Sequence, residues 1–192
     1  MKNLKNILFA LTAFLFFACA GEKKTEEEHA EHEMAAPAAT AQSKSPASTT
    51  MSNIGDVHVH IAYHSPGVRG RTVFGGLVAY DEVWVTGAHS ATTIEFHDDV
   101  ALNGKEVKKG KYALFTIPGK TEWTLIINKN FDQHLADDYE ADLDVLRLTI
   151  KPETLEEVQE HLLYEVKETK DHEGVISISW ANTKISFKIE EL

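Results

Sequence analysis

Between Val57 and His64 apolar and polar residues alternate without a break. Val57, Val59, Ile61 and Tyr63 stand against His58, His60, Ala62 and His64. Successive side chains of a strand point to opposite faces, so this pattern makes one buried and one open face and does not suit a helix. Ile94 and Phe96 alternate in the same way with Thr93, Glu95 and His97. Tyr112 to Ile117 is largely apolar on both faces, as a central strand is. Trp123 to Ile127, Asp142 to Ile150, Leu162 to Val166, Val175 to Trp180 and Ile185 to Ile189 read as further strands. Turn residues separate them: Asn103-Gly104, Lys109-Gly110, Pro118-Gly119, Glu173-Gly174 and Ala181-Asn182. One helix is predicted, Glu153 to Gln159, opened by Pro152. Many short strands at near-regular spacing predict an all-β fold, an antiparallel β-sandwich or small barrel. No internal repeat is visible.

The N-terminal quarter has a different character. A short basic start, Met1 to Lys5, precedes an uncharged apolar run from Ile7 to Ala18. That run falls short of the roughly 20 residues a membrane span requires and matches the apolar region of a secretory signal. Cys19, the only cysteine of the chain, follows at once. The arrangement resembles a bacterial lipoprotein signal over residues 1–18, with Cys19 as the lipidated terminus and the membrane as the anchor's partner. An ordinary signal peptide with a chance cysteine is the alternative. From Cys19 to Ser52 no Leu, Ile, Val or aromatic residue occurs. Such a segment buries too little apolar surface to offset its ordering entropy, so residues 19–52 are predicted to be a disordered tether. The expected folded domain spans residues 53–192, and the expected location is the cell envelope, on the outer membrane.

Composition removes several functions. A formal charge of −11 leaves no electrostatic footprint for nucleic acid. One cysteine allows neither an internal disulfide nor a cysteine zinc site. There is no Gly-x-x-x-x-Gly-Lys loop, no Gly-x-Ser-x-Gly elbow and no His-Glu-x-x-His helix. Gly70 and Gly75-Gly76 are spaced wrongly for a dinucleotide fingerprint.

Histidines are the chemical feature left, with 10 in the chain. His58, His60 and His64 share strand parity, so all three project from the face opposite Val57, Val59, Ile61 and Tyr63. Neutral imidazole ligates copper and zinc, and a His-x-His pair on a strand is close enough to share one ion. His89 and His97 are available as further ligands, and with no thiolate nearby such a site suits Cu(II) or Zn(II). Alternating polar residues on a strand also simply face water, and that is the plainer reading of the same residues. His134, His161 and His172 read as surface residues. Asp142 and Asp144 share a strand face and Arg147 has the opposite parity. An arginine–carboxylate pair to another strand is the structural reading and a substrate-carboxylate clamp the functional one. Arg69 and Arg71 flank Gly70, placed either to bind an anion or to pair with Asp142 or Asp144. Trp84, Trp123 and Trp180 lie in apolar alternation and read as core.

Longer motifs then come into view. Tyr63-His64-Ser65-Pro66-Gly67-Val68-Arg69-Gly70-Arg71 and Phe74-Gly75-Gly76-Leu77-Val78 resemble the opening of the bacterial family named domain of unknown function 2911. So do Val83 to Ile94, Gly110 to Gly119, Asp144-Val145-Leu146-Arg147 and the late Trp180. The resemblance covers roughly Asn53 to Leu192. It implies secreted or lipid-anchored proteins without an established activity, and it supplies no catalytic residues. This chain has His64 where the family's common pattern has Ser, and His89 where it has Asn. A paired gain of imidazoles is what an acquired metal site would look like. Arg71, Thr86, Asp144 and Arg147 match the shared pattern, where they either maintain the fold or line a shared pocket.

The leading expectation is thus an envelope lipoprotein that binds copper or zinc through His64, His89, His60, His58 and His97, for storage, sensing or delivery. One alternative is a metal-dependent hydrolase or oxidase, with Glu95 or an Asp as base. The other is a non-catalytic module that binds an envelope protein, a glycan or another small molecule.

Overall fold

The computed structural model describes residues 43–192. The expected signal peptide, Cys19 and most of the expected tether lie outside the described residues. Among the described residues ten strands form two antiparallel sheets that pack as a β-sandwich, with one short 3-10 turn. Six strands make the larger sheet: β1 (Ala47–Ile54), β2 (Val57–His64), β3 (Thr93–Phe96), β6 (Gly110–Ile117), β7 (Trp123–Asn128) and β8 (Asp144–Ile150), in the order β1-β2-β3-β6-β7-β8. The smaller sheet runs β5-β4-β10-β9, from β4 (Val100–Leu102), β5 (Lys105–Val107), β9 (Glu153–Lys170) and β10 (Glu173–Glu191).

The alternation in β2 does what parity requires. Val57, Val59, Ile61 and Tyr63 are buried, and the histidine face is only half-buried. The core lies between the sheets, where these residues meet Leu162 and Tyr164 of β9 and Ile176, Ile178 and Trp180 of β10. β6 sits in the middle of its sheet and is covered on both faces. On its outer face Ala113 and Phe115 join Val85, Ala91 and Ile126 in a second small core. Asn103 and Gly104 link β4 to β5, both with positive φ (47° and 77°). That is the two-residue turn whose twist suits a tight hairpin.

Three expectations are corrected. The fold begins at β1, inside the segment predicted to be a tether. β1 carries Thr, Ser and Met in place of a hydrophobic run, and it forms as an edge strand whose backbone pairs along all of β2 from Ala47↔His64 to Ile54↔Val57. Glu153 to Gln159 is strand, the opening of β9, and not a helix. A helix of seven residues cannot repay its own nucleation, whereas β10 offers backbone partners at Thr183 and Lys184. Ala181-Asn182 does not turn the chain. Ala181 takes φ 53° and the β9–β10 register shifts on either side of it, so a bulge stands inside one long strand.

The segment between β2 and β3, residues 65–92, has no strand of its own. It is laid down by backbone bonds to both sheets, Val68 N–H to Glu160 O (2.8 Å) and Trp84 N–H to Thr116 O (2.7 Å) among them. Its aromatic residues Phe74 and Trp84 close over Trp123 of β7 and Trp180 of β10. Trp84 and Trp180 stack at 5.6 Å with planes 20° apart, and the Phe74 and Trp123 rings meet at 4.8 Å. Trp123 and Trp180 are buried and Trp84 half-buried, so the tryptophans are core, as their sequence setting indicates.

Candidate functional site

The half-buried face of β2 carries the histidines, and pairing across strands decides what each one meets. At one end of β2, His64 stands beside His89, with ring centroids 5.0 Å apart and nearly perpendicular planes. At the other end His58 stands beside His97, also at 5.0 Å and edge to face. The ladder explains the second pair: Val59 pairs with Phe96, and the His97 N–H donates to the His58 carbonyl at 3.1 Å. The His58 Nδ1 contacts Asn53 Oδ1 at 2.8 Å, and His97 Nε2 lies 3.9 Å from Glu95 Oε1. His60, between the two pairs, has Met51 opposite on β1 and Glu95 opposite on β3.

The five histidines therefore do not gather at one point. At about 3.3 Å per residue, His58 and His64 are roughly 20 Å apart along the strand. Among the described residues no group of three or more His, Cys, Asp or Glu side chains is placed to hold an ion. What the face offers is two separate imidazole pairs. His134 and His172 are exposed and paired with Asp137 and Glu191, and His161 is exposed, as surface residues are.

The His64–His89 pair is set by an unusual loop. Thr86 and His89 both have positive φ (51° and 64°), a conformation that costs a non-glycine residue about 1–3 kcal/mol and persists only where the surroundings impose it. Thr86 is fully buried, and its Oγ1 shares a 2.9 Å hydrogen bond with Thr116 Oγ1. Its carbonyl accepts from Tyr164 Oη at 2.7 Å and from Thr92 Oγ1 at 3.1 Å. Beyond it, the His89 carbonyl accepts from the Leu135 N–H at 2.6 Å. Thr86 thus maintains the turn that carries His89. Partial burial, then the neighbouring His89, holds the His64 imidazole below the ordinary histidine pKa of 6.5.

That shift has a measurable consequence. In an NMR titration His64 is expected to reach its midpoint below 6.5, and His89→Ala is expected to raise that midpoint only part of the way, because burial is the larger cause. The sign follows from linkage. The folded state binds this proton more weakly than the unfolded chain, so stability is full above the unfolded midpoint and declines as pH falls through it. A His64 midpoint at or above 6.5 would overturn the burial argument, and a midpoint unmoved by His89→Ala would show that the two rings do not sense each other.

The carboxylate–arginine constellation resolves into a structural knot. Asp142 is not on the strand but in the 3-10 turn Ala141–Leu143. Asp144, whose side chain is 8% exposed, accepts from Asn128 Nδ2 (2.7 Å), Tyr139 Oη (2.8 Å) and Arg147 Nε (2.6 Å). The arginine partner lies three residues away on the same strand, not on another one. A register shift between Ile127 and Asn128 marks the irregular start of β8, where simple parity does not hold. Neither Arg69 nor Arg71 pairs with Asp142 or Asp144. The Arg69 N–H donates to Glu160 Oε1 at 2.8 Å. The Arg71 guanidinium caps two carbonyls of its own loop, Gly67 at 2.6 Å and Val68 at 3.1 Å.

A family model described as protein of unknown function (DUF2911) matches residues 45–189. The chain belongs to the DUF2911 family. No curated protein and no solved structure gives a match. The DUF2911 match begins two residues before β1, in agreement with the structure and earlier than the boundary expected at Asn53. Within this domain, sequence reasoning missed Leu135, which has φ 50° and is exposed next to the His89 loop. Nothing in its sequence neighbourhood signals a left-handed leucine.

Proposed function

We propose that the protein is a lipid-anchored component of the cell envelope whose DUF2911 domain binds a single copper or zinc ion between His64 and His89. The observation that carries the metal reading is the meeting of two imidazoles from separate segments, one at the end of β2 and one on a strained loop. Backbone strain of this kind concentrates at functional sites. Imidazole nitrogen suits both metals. Two protein ligands leave the remaining positions of the ion to water or to a donor from a second molecule. Such an ion exchanges readily, which favours delivery or sensing over storage. The anchor reading rests on the apolar run from Ile7 to Ala18 followed by Cys19.

Isothermal titration of the untagged protein with Cu(II) and with Zn(II) tests the site. One ion per chain is expected. His64→Ala and His89→Ala are each expected to weaken it at least tenfold, since losing even an outer-shell partner of a metal ligand costs roughly 10–100-fold. His58→Ala and His97→Ala are expected to change it little. Unaltered affinity in the His64→Ala His89→Ala double variant would end this reading. Loss confined to the His58 and His97 variants would move the site to the other pair.

A further inference from the structure

A second site, independent of the histidines, stands out at the joint of the two sheets. Trp84, Val85 and Leu77 of the 65–92 segment, Trp180 of β10 and Leu135 line an open-mouthed cavity of about 390 Å³. Its walls are mainly apolar, and Arg71 is the one charged side chain that lines it among the described residues. We propose that this cavity binds a small organic monoanion: a carboxylate on an apolar body of about a dozen non-hydrogen atoms, at the roughly 30 Å³ that a water occupies in the liquid.

Four features point to that chemistry. Arg71 is held rigid by the Gly67 and Val68 carbonyls, which leaves further guanidinium N–H groups free to donate. It makes no ion pair among the described residues, although the chain is acidic at −11, and nearby Glu160 is engaged by the Arg69 N–H. An arginine preorganised by backbone carbonyls and lacking a carboxylate partner is a ready carboxylate receptor. Trp180 is 2% exposed, and its indole Nε1–H has no partner among the described residues. That nitrogen is closed off from the cavity, so Trp180 lines it with the apolar part of its ring. Leu135, in a conformation that a leucine rarely takes, presents an exposed apolar side chain at the rim. The single positive charge and the acidic surroundings select against polyanions.

The test uses 4-phenylbutyrate, with its neutral amide as control, and reads the three indole N–H signals of the full-length protein by NMR. The acid is expected to shift the Trp180 and Trp84 signals and to leave Trp123, which does not line the cavity, in place. Trp180→Phe assigns the signal. The amide is expected to bind at least roughly tenfold more weakly, the value of one charge-assisted hydrogen bond. Arg71→Gln is expected to remove the preference for the acid. Arg71 also caps its own loop, so the acid–amide comparison on the unaltered protein decides the matter if that variant fails to fold. Equal binding of acid and amide would overturn the proposal. So would undisturbed Trp84 and Trp180 signals at millimolar 4-phenylbutyrate and octanoate alike.

Discussion

Trp180→Ala is expected to lower the free energy of unfolding by about 3–5 kcal/mol, the range for truncating a large buried aromatic side chain. Trp180 is 2% exposed and belongs to β10 of the smaller sheet. It stacks on Trp84 and meets the edge of Phe74 at 6.1 Å, while Phe74 also packs on Trp123 of the larger sheet. The indole therefore packs on the 65–92 segment, whose Phe74 and Trp84 in turn pack on Trp123 of the larger sheet. Its loss leaves a void that the two β-sheets cannot close, because their spacing is set by the rest of the core. At roughly 2–4 °C per kcal/mol for a domain of this size, the melting temperature falls by about 10 °C. Urea unfolding and a thermal scan followed by circular dichroism would measure both. A loss under about 1 kcal/mol would mean that the aromatic segment collapses into the gap and is not the joint described here. Trp180→Phe, which keeps most of the volume, is expected to cost much less.

Asp144→Ala is expected to cost about 2–3 kcal/mol, because it removes an acceptor that three donors share, two of them in a part-buried setting. Asn128 is buried and has Asp144 and the Glu140 carbonyl as its amide partners. Tyr139 loses its acceptor, and burial with the Asp144 carboxylate is what pushes its hydroxyl pKa up. Arg147 is 44% exposed and recovers water, which limits the total. The loss should be felt first in the segment between β7 and β8. That segment is expected to become sensitive to limited proteolysis before the rest of the domain unfolds. This outcome separates the two sequence readings of Asp144 and Arg147. A structural knot loses stability when Asp144 is removed. A substrate clamp would keep its stability and lose only ligand affinity, and unaltered urea unfolding would favour it.

Much of the architecture was legible in the chain. The faces of β2 follow from Val57 to His64 alone, because strand parity is a local property of the backbone. The central place of β6 follows from its apolar residues on both sides. β1 was not legible, because its pairing is made by backbone groups that any residue carries, and its Ser and Thr side chains announce nothing. Nor was the opening of β9. Glu153 to Gln159 is rich in helix formers, and only the presence of β10 alongside turns it into strand. The bulge at Ala181 belongs to the same class, since it exists only relative to a partner strand.

The site divides along the same line. The sequence by itself determined that His58, His60 and His64 share an open face and that Trp84, Trp123 and Trp180 are core. It also marked Arg71 and Asp144 as residues to watch. Only the tertiary structure decided that His64 meets His89 and His58 meets His97, about 20 Å apart, rather than all five meeting together. It alone assigned Asp144 to a knot and Arg71 to a cavity. The reason is physical. Which way a side chain points depends on its own two backbone angles, but which side chain it meets depends on the register of strands and on loops held by partners far along the chain.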